Sequence, residues 1–500
     1  MTERQPVTTA AIFVGTLAVY LSFLTKQYYW DGVTFALAIE TSQDWRTLLH
    51  PNHLLYEPLG SIFYRICQAV WPGIRAITAL QILSAISGSA SAAMMYTLLR
   101  RIVRDNYIAV CLAVLFAFTA TWWRFATDAD AYIPAIACLL LCSQLLTRER
   151  GAVVGAVVSF AAAMCLHQLS LIALPALVLI IWSRSASRER VHRTTSFILL
   201  SGCLTIGLYG YAFYEVTGST SPANFLRWIT SFSPDADTAF EPIRSLTMTL
   251  RGNVRLFFGG RMSWLRGLVG PLAMGVIGVG AAALIGLVVQ SVRARGARAF
   301  PDGRGASSEA DIRTLLRAGL VWVGSYTLFL FFWLPQNTFY RLFYLPAIFF
   351  VLAAMLARRS RTGYYRLALL TTALTTANFL FLIYPLSHVD RNPPLKLALE
   401  LHDTWPEGTH VVIGRNNPDA NLVHYFNQQA EWQSANTTDP SALISSMTAR
   451  GTPVWLETTA IDALSSDPMA LNWLEEHTVP GSRHEIDNGD FRVRFRAVQP

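Results

Sequence analysis

The first 386 residues consist of long apolar runs separated by polar segments, most of them short, that carry arginine. This pattern predicts a mainly α-helical protein that crosses a membrane many times. Several runs are shorter than the roughly 17 residues of a full crossing, so the charge of the intervening segments decides whether they count. Eleven crossings are predicted, at residues 8–24, 76–99, 107–122, 132–146, 153–166, 171–182, 196–214, 268–290, 318–333, 342–356 and 367–384.

One apolar stretch, residues 153–182, has arginines beyond both of its ends. As a single helix it would run about 45 Å at 1.5 Å per residue, and its basic ends would lie on opposite sides of the membrane. A helical hairpin that turns near His167 and Gln168 keeps both basic ends on the same side. We therefore expect two helices in this stretch.

Arginine-rich segments also give the expected sidedness, because positively charged loops tend to stay in the cytoplasm. The N-terminus is then inside and the C-terminus outside. The outer side receives two long loops, at about residues 25–75 and 215–266, and a tail, residues 387–500. We expect a multi-pass protein of a bacterial cytoplasmic membrane whose active site faces outward.

The tail has a different pattern from the membrane region, because short strand-like runs alternate with helix-like ones. This predicts a small extracytoplasmic α/β domain at residues 387–500, after a membrane domain at residues 1–386. Pro393 and Pro394 mark the boundary. The strand-like runs are residues 410–413, 453–456 and 491–495, and the helix-like runs are residues 420–429 and 469–476.

Composition supports the membrane assignment and excludes two other classes. Hydrophobic residues make up 53% of the 500 residues and charged residues only 14%, which is too apolar for a soluble multidomain protein. The net charge of +8 suggests nucleic acid at first sight. However, many of the arginines fall in short loops between apolar runs, as expected from membrane topology, so no nucleic-acid partner is predicted. The six cysteines form no recognisable disulfide or metal-binding pattern.

Asp31 follows three aromatic residues, Tyr28 to Trp30, at the outer end of the first apolar run. An N-cap of a helix that begins at Gly32, beside an interfacial aromatic belt, is one interpretation. The other is a general base that takes the proton of an acceptor hydroxyl group.

Asp128 and Asp130 lie between two predicted crossings and are followed by Tyr132. Their spacing places both carboxylates on one side of an extended loop. They could be polar turn residues, orient a substrate hydroxyl, stabilise a positive sugar centre, or bind a divalent cation. Mg²⁺ or Mn²⁺ prefers oxygen ligands of this kind. The sequence does not choose among these alternatives and fixes no cofactor.

Three histidines lie in the same outer region or at the predicted hairpin. His50 and His53 are three residues apart, and without a fixed carboxylate partner they favour hydrogen bonding to a polar ligand over metal binding. His167 lies at the hairpin turn, where a packing role is the main alternative to a functional one.

Arg341 lies among aromatic residues at the outer end of another crossing. It could snorkel to the interface, or its guanidinium could bind a lipid phosphate through two parallel hydrogen bonds. Arg244, Arg251 and Arg255 share one face of a predicted helix in the second long loop. For them an interfacial amphipathic helix is favoured over phosphate steering.

Five segments in this order resemble the GT-C superfamily of polyprenyl-phosphate-sugar-dependent glycosyltransferases, and within it the TMEM260-like protein O-mannosyltransferase family. Asp128 and Asp130 stand where that family usually has glutamate, and Asn52 where it usually has proline. The segments that carry the resemblance are Trp30-Asp31-Gly32, His50-Pro51 with Leu55-Tyr56, residues 123–132 with Arg124 and Tyr132, His167-Gln168-Leu169, and residues 340–346 with Arg341.

The resemblance implies a GT-C-like fold and transfer of a hexosyl or pentosyl group, with inversion, from a polyprenyl-phosphate donor to a hydroxyl of a protein, lipid or glycan. Asp31 would be the general base, and Asp130 with Asp128 would orient the acceptor or sugar or hold a metal. Arg341 would bind the phosphate. Further substrate-binding residues are implied at His50, His53, Arg124, Tyr132 and His167.

A secondary transporter or lipid flippase is the alternative from another class. Transporters usually place ionisable residues near the middle of the bilayer, in repeated halves of the chain. Here the acidic residues lie at the outer ends of crossings, and no repeat is visible. A noncatalytic scaffold that displays the tail would not explain the clustered acidic residues.

Overall fold

The computed structural model describes residues 4–103, 105–148, 152–231, 241–293, 306–356, 362–413, 418–434, 440–448, 453–487 and 492–499. Parts of the basic segments used to predict sidedness, among them residues 294–305 and 357–361, lie outside the described residues. The chain forms two compact units. The first is Met1–Thr25 with Ser42–Pro385, and the second is Lys26–Thr41 with Leu386–Pro500.

Helices account for most of the described chain, as the apolar periodicity predicts. Short 3-10 turns join several of them, and a π-helical turn, Phe379–Ile383, interrupts the last long one. The α-helices are α1 (Arg4–Ser22), α2 (Trp30–Thr41), α3 (Tyr56–Val70), α4 (Ala76–Val103), α5 (Asn106–Ala117), α6 (Ala120–Ala126), α7 (Tyr132–Leu146), α8 (Val153–Leu166), α9 (Leu174–Arg184), α10 (Arg190–Thr217), α11 (Pro222–Thr230), α12 (Pro242–Phe257), α13 (Pro271–Arg293), α14 (Ala306–Trp333), α15 (Leu345–Leu356), α16 (Thr362–Asn378), α17 (Tyr384–Leu386), α18 (Pro393–Thr404), α19 (Pro418–Phe426), α20 (Pro440–Thr448), α21 (Thr458–Ser465) and α22 (Pro468–His477).

Six of the described helical segments are long and apolar enough to cross a membrane. A seventh arises if α5 and α6, which meet at a bend of 66°, form one broken crossing. Shorter apolar helices occupy the remaining predicted positions, so the structure confirms a polytopic, mainly α protein. The six segments are Gln5–Ser22, Ala76–Val103, Arg190–Thr217, Ile312–Trp333, Phe339–Leu356 and Tyr365–Leu386, and the shorter helices are Tyr132–Leu146, Val153–Leu166, Gln168–Arg184 and Pro271–Ala283.

Helix α4 forms the centre of the first unit and packs against α1, α3, α5, α7 and α15. Its buried face consists largely of alanine, serine and glycine. Small residues let neighbouring helices approach closely within a membrane. At Gly88 an added Cβ would come within 2.9 Å of the Ala126 side chain, so the approach there depends on glycine.

The predicted break at His167 is confirmed. Helix α8 ends at Leu166, His167 adopts an extended backbone, and a 3-10 turn, Gln168–Ala173, leads into α9. The nitrogen Nδ1 of His167 accepts a hydrogen bond from the Leu169 backbone N–H at 3.1 Å. The imidazole therefore caps the new turn, which is a local reason for the helix to restart there.

Two long loops of the first unit contain short amphipathic helices. On α12 the buried face carries Ser245, Thr249, Gly252 and Leu256. The exposed face carries an apolar stripe, Ile243, Leu246, Leu250 and Val254, beside Arg244, Arg251 and Arg255. This is the pattern of a helix that lies in a membrane interface, which agrees with the favoured interpretation of these arginines.

The second unit is a three-layer α/β sandwich. Helices α18 and α19 pack on one face of its sheet, and α20, α21 and α22 on the other. The sheet order is β2-β1-β3-β5-β4, with β1, β2 and β3 parallel and β5 antiparallel to both of its neighbours. The structure thus confirms the predicted α/β fold of the tail. Its strands are β1 (His410–Ile413), β2 (Glu431–Ser434), β3 (Val454–Glu457), β4 (His484–Asp487) and β5 (Arg492–Val498).

The two units of the structure differ in one respect from the two domains predicted from the sequence. Helix α2 was expected in the first loop of a membrane domain at residues 1–386, but it belongs to the second unit, where it packs against α19. Hydrophobic burial explains this, because α2 places Val33, Phe35, Ala36 and Ile39 in the interior of that unit.

Candidate functional site

Tyr132, the first residue of α7, is the centre of an aromatic cluster in the first unit. Its ring centroid lies 5.0 Å from that of His167 and 6.4 Å from that of His53. Phe339 stacks on Tyr132 at 5.5 Å, and Phe125 lies at 5.7 Å. Tyr340, from the segment at residues 340–346, lies at 5.8 Å. Four segments singled out in the sequence therefore meet at one buried side chain. We call this group the Tyr132 cluster.

The three histidines form one connected row at the edge of this cluster. The ring centroids of His50 and His53 are 5.9 Å apart, and those of His53 and His167 are 4.8 Å apart. His50 Nδ1 accepts a hydrogen bond from the Asn52 backbone N–H at 3.2 Å, which caps the 3-10 turn Pro51–His53. Burial lowers the pKa of His50 to about 4. Burial, and then the nearby His50, lowers the pKa of His53 to about 3. Both imidazoles are therefore neutral near pH 7.

The low pKa of His53 predicts a loss of stability in acid. The unfolded chain binds a proton below a pKa of 6.5, whereas the folded protein does so only near 3. Stability is therefore complete above pH 6.5 and falls as the pH drops, by at most about 1.4 kcal/mol per pH unit. We expect His53→Gln to reduce the slope of melting temperature against pH between about pH 6.5 and 5. The same change at exposed His402 should leave the slope unaltered, and an equal effect of both would contradict the assignment.

Asp128 and Asp130 are fully buried and close the loop that precedes α7. Asp128 Oδ1 accepts a hydrogen bond from the Ala129 N–H at 2.8 Å, and Asp130 Oδ1 accepts one from the Tyr132 N–H at 2.7 Å. The polar-turn alternative accounts for both of these bonds. The described residues contain no group of three or more histidine, cysteine, aspartate or glutamate side chains arranged to hold a metal ion.

Near these carboxylates lie Tyr56, which the sequence analysis named only as part of the resemblance, and Glu57, which it missed. Burial, and then the charge of Asp130, raises the pKa of the Tyr56 phenol well above its usual value, with smaller effects of Asp128 and Glu57. Burial raises the pKa of Glu57 to about 8. A signal was available, because His53 and Glu57 are spaced to lie on the same side of a helical segment.

Arg341 lies in the 3-10 turn Phe339–Tyr344 and is fully buried. Its Nη2 donates to the Pro335 carbonyl oxygen at 2.8 Å, and its Nη1 donates to the Tyr344 hydroxyl oxygen at 3.0 Å. The Tyr344 hydroxyl in turn donates to Asn253 Oδ1 at 2.8 Å. Among the described residues no carboxylate forms a salt bridge with Arg341, and its Nε has no hydrogen-bond partner. A snorkelling arginine keeps its head in water, so full burial argues against that interpretation.

Gly252 of α12 lies directly against the Arg341 guanidinium. A Cβ added at Gly252 would come 2.3 Å from Arg341 Nε and 3.0 Å from Cζ. The absence of a side chain therefore makes room for the guanidinium. This role escaped the sequence, because no pattern links a glycine in one loop to an arginine 89 positions later.

We expect Gly252→Ala to displace the Arg341 side chain. Overpacking of this kind typically costs about 1–3 kcal/mol of stability. Gly207→Ala is a matched control, because Gly207 lies within α10 and nothing is within 4 Å of an added Cβ. The control should be neutral or stabilising, since alanine is favoured over glycine inside a helix by about 1 kcal/mol. Thermal unfolding of both variants tests this, and equal melting temperatures would contradict the close approach.

Arg124 is half-buried in the last turn of α6, with its guanidinium carbon 6.0 Å from the centroid of the Phe125 ring. The Thr121 hydroxyl on the same helix donates to the Arg255 carbonyl oxygen at 2.8 Å. Because residues three apart share a helix face, Arg124 lies on the side of α6 that packs against α12. Arg124 is thus connected to the Tyr132 cluster through Phe125.

Asp31 belongs to the second unit and is half-buried in the first turn of α2. The helix begins at Trp30, two residues earlier than expected, so Asp31 lies inside the helix instead of capping it. A carboxylate in the first turn is stabilised by the helix dipole.

No family model matches the chain, and no curated protein sequence matches it. Two solved structures share its fold from end to end. ArnT from Cupriavidus metallidurans bound to undecaprenyl phosphate superimposes with a TM-score of 0.61 at 12% identity, over 99% of this chain and 98% of that one. The same protein in the apo state gives a TM-score of 0.50 at 14% identity, over 98% of both chains. The likeness confirms the predicted polytopic, mainly α fold, which this chain shares with ArnT, whereas the narrower TMEM260-like resemblance gains no support.

Proposed function

We propose that this protein is a membrane glycosyltransferase that transfers a sugar from a polyprenyl-phosphate donor to a hydroxyl acceptor on the extracytoplasmic side. The observation that carries the proposal is the buried Arg341 guanidinium, which has only neutral partners among the described residues. It lies in a chain with the fold of a protein whose structure holds undecaprenyl phosphate.

A buried cation with no anionic partner is unfavourable, because desolvation costs several kcal/mol per ion. A lipid phosphate would supply the missing negative charge. The guanidinium has a donor left over at Nε, beside the two that bind Pro335 and Tyr344. Charge-assisted hydrogen bonds to phosphate are roughly twice as strong as neutral ones. The arrangement thus supports Arg341 as the residue that binds the donor phosphate.

In the proposed reaction the acceptor hydroxyl attacks the anomeric carbon of the sugar while the bond to the lipid phosphate oxygen breaks. Asp31 takes the hydroxyl proton, and the sugar is transferred with inversion. The polyprenyl phosphate leaves with an additional negative charge. Arg341 stabilises this charge as it develops, which lowers the barrier in the manner of an anion-binding site.

Asp130 and Asp128 are proposed to act through the loop that they close. Their hydrogen bonds to the Ala129 and Tyr132 N–H groups fix the start of α7 and the position of the Tyr132 ring. The sugar or acceptor would then be oriented at the half-buried edge of the Tyr132 cluster, where Arg124, His50 and Tyr340 lie. Mg²⁺ usually takes near-octahedral oxygen ligation. A cation of this kind would be held by Asp128 and Asp130, and no step is assigned to it.

The polyprenyl chain requires access from the bilayer, while the sugar requires polar surroundings. A mainly α membrane unit with exposed apolar helices meets the first requirement. The transferred group is proposed to be a hexose or pentose, with a mannosyl group as the first to try. The acceptor is proposed to be a protein, lipid or glycan of the cell envelope.

The test is sugar transfer by the purified protein in lipid nanodiscs. Radiolabelled polyprenyl-phosphate sugars are offered with crude membrane acceptors, and nucleotide sugars serve as the contrasting donor class. We expect labelled product only from the polyprenyl donors. Product from nucleotide sugars alone would contradict the proposed donor. No product from any donor, together with protein-dependent movement of solutes or lipids, would instead support a transporter.

A further inference from the structure

The segment that leads into α2 is hydrogen-bonded at Lys26 to other residues of the second unit. The Lys26 backbone N–H donates to the Leu386 carbonyl oxygen at 2.7 Å. The Lys26 carbonyl oxygen accepts from Asn392 Nδ2 at 2.5 Å. Two residues later, the Tyr28 ring lies 6.3 Å from that of Phe426. The chain therefore enters α2 from a fixed position in this unit.

Glu40 holds the C-terminal end of α2 through hydrogen bonds. The buried Tyr425 hydroxyl donates to Glu40 Oε1 at 2.8 Å, and Gln428 Nε2 donates to Oε2, also at 2.8 Å. Between the two ends, Asn421 Nδ2 donates to the Thr34 hydroxyl oxygen at 3.2 Å. All three donors follow one another on or just beyond α19. Glu40 thus uses both carboxylate oxygens to hold α2 against α19.

A helix of 12 residues such as α2 is marginally stable by itself in water. Its position therefore depends on what holds it. Asp31 lies nine residues before Glu40 on this helix, at a distance of about 13.5 Å along the axis at 1.5 Å per residue. A rigid helix transmits the position of one end to the other, so a bond at Glu40 sets where Asp31 can be.

We propose that Glu40 and Tyr425 are positioning residues for sugar transfer, and that the C-terminal unit serves to hold the helix that carries Asp31. This inference rests on the proposed function, in which Asp31 is the general base. It gives the tail a role that its sequence did not reveal. A base must lie within hydrogen-bond reach of the proton it removes, and a misplacement of about 1 Å can cost 10²-fold in rate.

The test compares Glu40→Gln and Tyr425→Phe with Glu475→Gln in full-length protein in nanodiscs. Glu475 is a matched control, because its carboxylate accepts from two side chains of the same unit, Arg483 and Arg496, away from α2. Each variant at Glu40 or Tyr425 should lower kcat by about 10-fold, with the donor KM unchanged, and should speed amide hydrogen exchange in α2. Glu475→Gln should leave kcat and exchange in α2 as in the wild type.

Exchanging the partners gives a rescue. In the double variant Glu40→Gln with Gln428→Glu, the amide at position 40 can donate to the carboxylate at position 428, which restores the hydrogen bond with donor and acceptor exchanged. The kcat of the double variant should therefore return most of the way from the Glu40→Gln value to the wild-type value. Wild-type kcat in Glu40→Gln, or an equal loss in Glu475→Gln, would overturn the positioning role. If the wild-type protein makes no product with any donor, the proposed function itself fails, and this inference fails with it.

Discussion

Asp31→Asn is expected to lower the rate of sugar transfer by about 10²–10⁴-fold, which is the usual contribution of general base catalysis. Asparagine has the same shape as aspartate but cannot accept the proton of the acceptor hydroxyl. Because Asp31 is half-buried in the first turn of α2, the helix and its packing should survive the change. Initial rates in nanodiscs give the effect, and thermal unfolding shows whether the variant is folded.

Asp403→Asn supplies the matched control, because Asp403 is an exposed aspartate on α18 in the same unit. It should transfer sugar at the wild-type rate. A well-folded Asp31→Asn variant that is equally active would remove Asp31 from the chemistry. In that case the resemblance would have assigned the base to the wrong carboxylate, while the binding of the donor phosphate would remain open to test at Arg341.

The membrane region was largely predictable from the sequence, because hydrophobic periodicity is a local property. The apolar runs gave the helices, and the arginines at both ends of residues 153–182 predicted the break at His167. The assignment of α2 to the second unit could not be predicted in this way. It depends on tertiary contacts of α2 with residues far along the chain. Glu40 bonds to Tyr425, 385 positions later, and Thr34 bonds to Asn421, 387 positions later. Local periodicity does not reveal such contacts.

The site was predictable in its parts but not in its arrangement. Each segment of the Tyr132 cluster carried a visible signal, yet only tertiary packing brings His53, His167 and Phe339 to one ring. For Asp128 and Asp130, by contrast, the contacts that the sequence did not show are local. Their alternation suggested chemistry, and the structure shows that one oxygen of each accepts a hydrogen bond from a nearby backbone N–H group. Short-range hydrogen bonding of aspartate to its own loop competes with any functional role, and a sequence does not show which prevails.

Arg341→Met is expected to abolish most of the binding of polyprenyl phosphate. Hydrogen bonds to charged groups contribute about 1.5–3 kcal/mol each, so affinity should fall roughly 10- to 100-fold. Undecaprenyl phosphate at about 100 times its Kd stabilises a binding protein by about 2.7 kcal/mol, which raises its melting temperature. We expect this rise in the wild type, and a smaller stabilisation of about 0.4–1.4 kcal/mol in the variant at the same lipid concentration. Arg244→Met, on the exposed face of α12, is the control that should retain the full rise.

The stability of the empty protein separates a phosphate-binding arginine from a structural one. A structural arginine would be stabilising without ligand, so its loss would lower the melting temperature of the lipid-free protein as much as it lowers binding. Burial of the Arg341 charge is offset only by hydrogen bonds to neutral groups, the Pro335 carbonyl and the Tyr344 hydroxyl. Replacing a buried ion pair by hydrophobic residues of similar volume is often neutral or stabilising, and the described neighbours of Arg341 include no carboxylate that its loss would leave uncompensated. We therefore expect Arg341→Met to melt near the wild-type temperature without lipid. A large destabilisation in the lipid-free state, with the response to undecaprenyl phosphate intact, would make Arg341 a structural residue and remove the main support for the proposed donor.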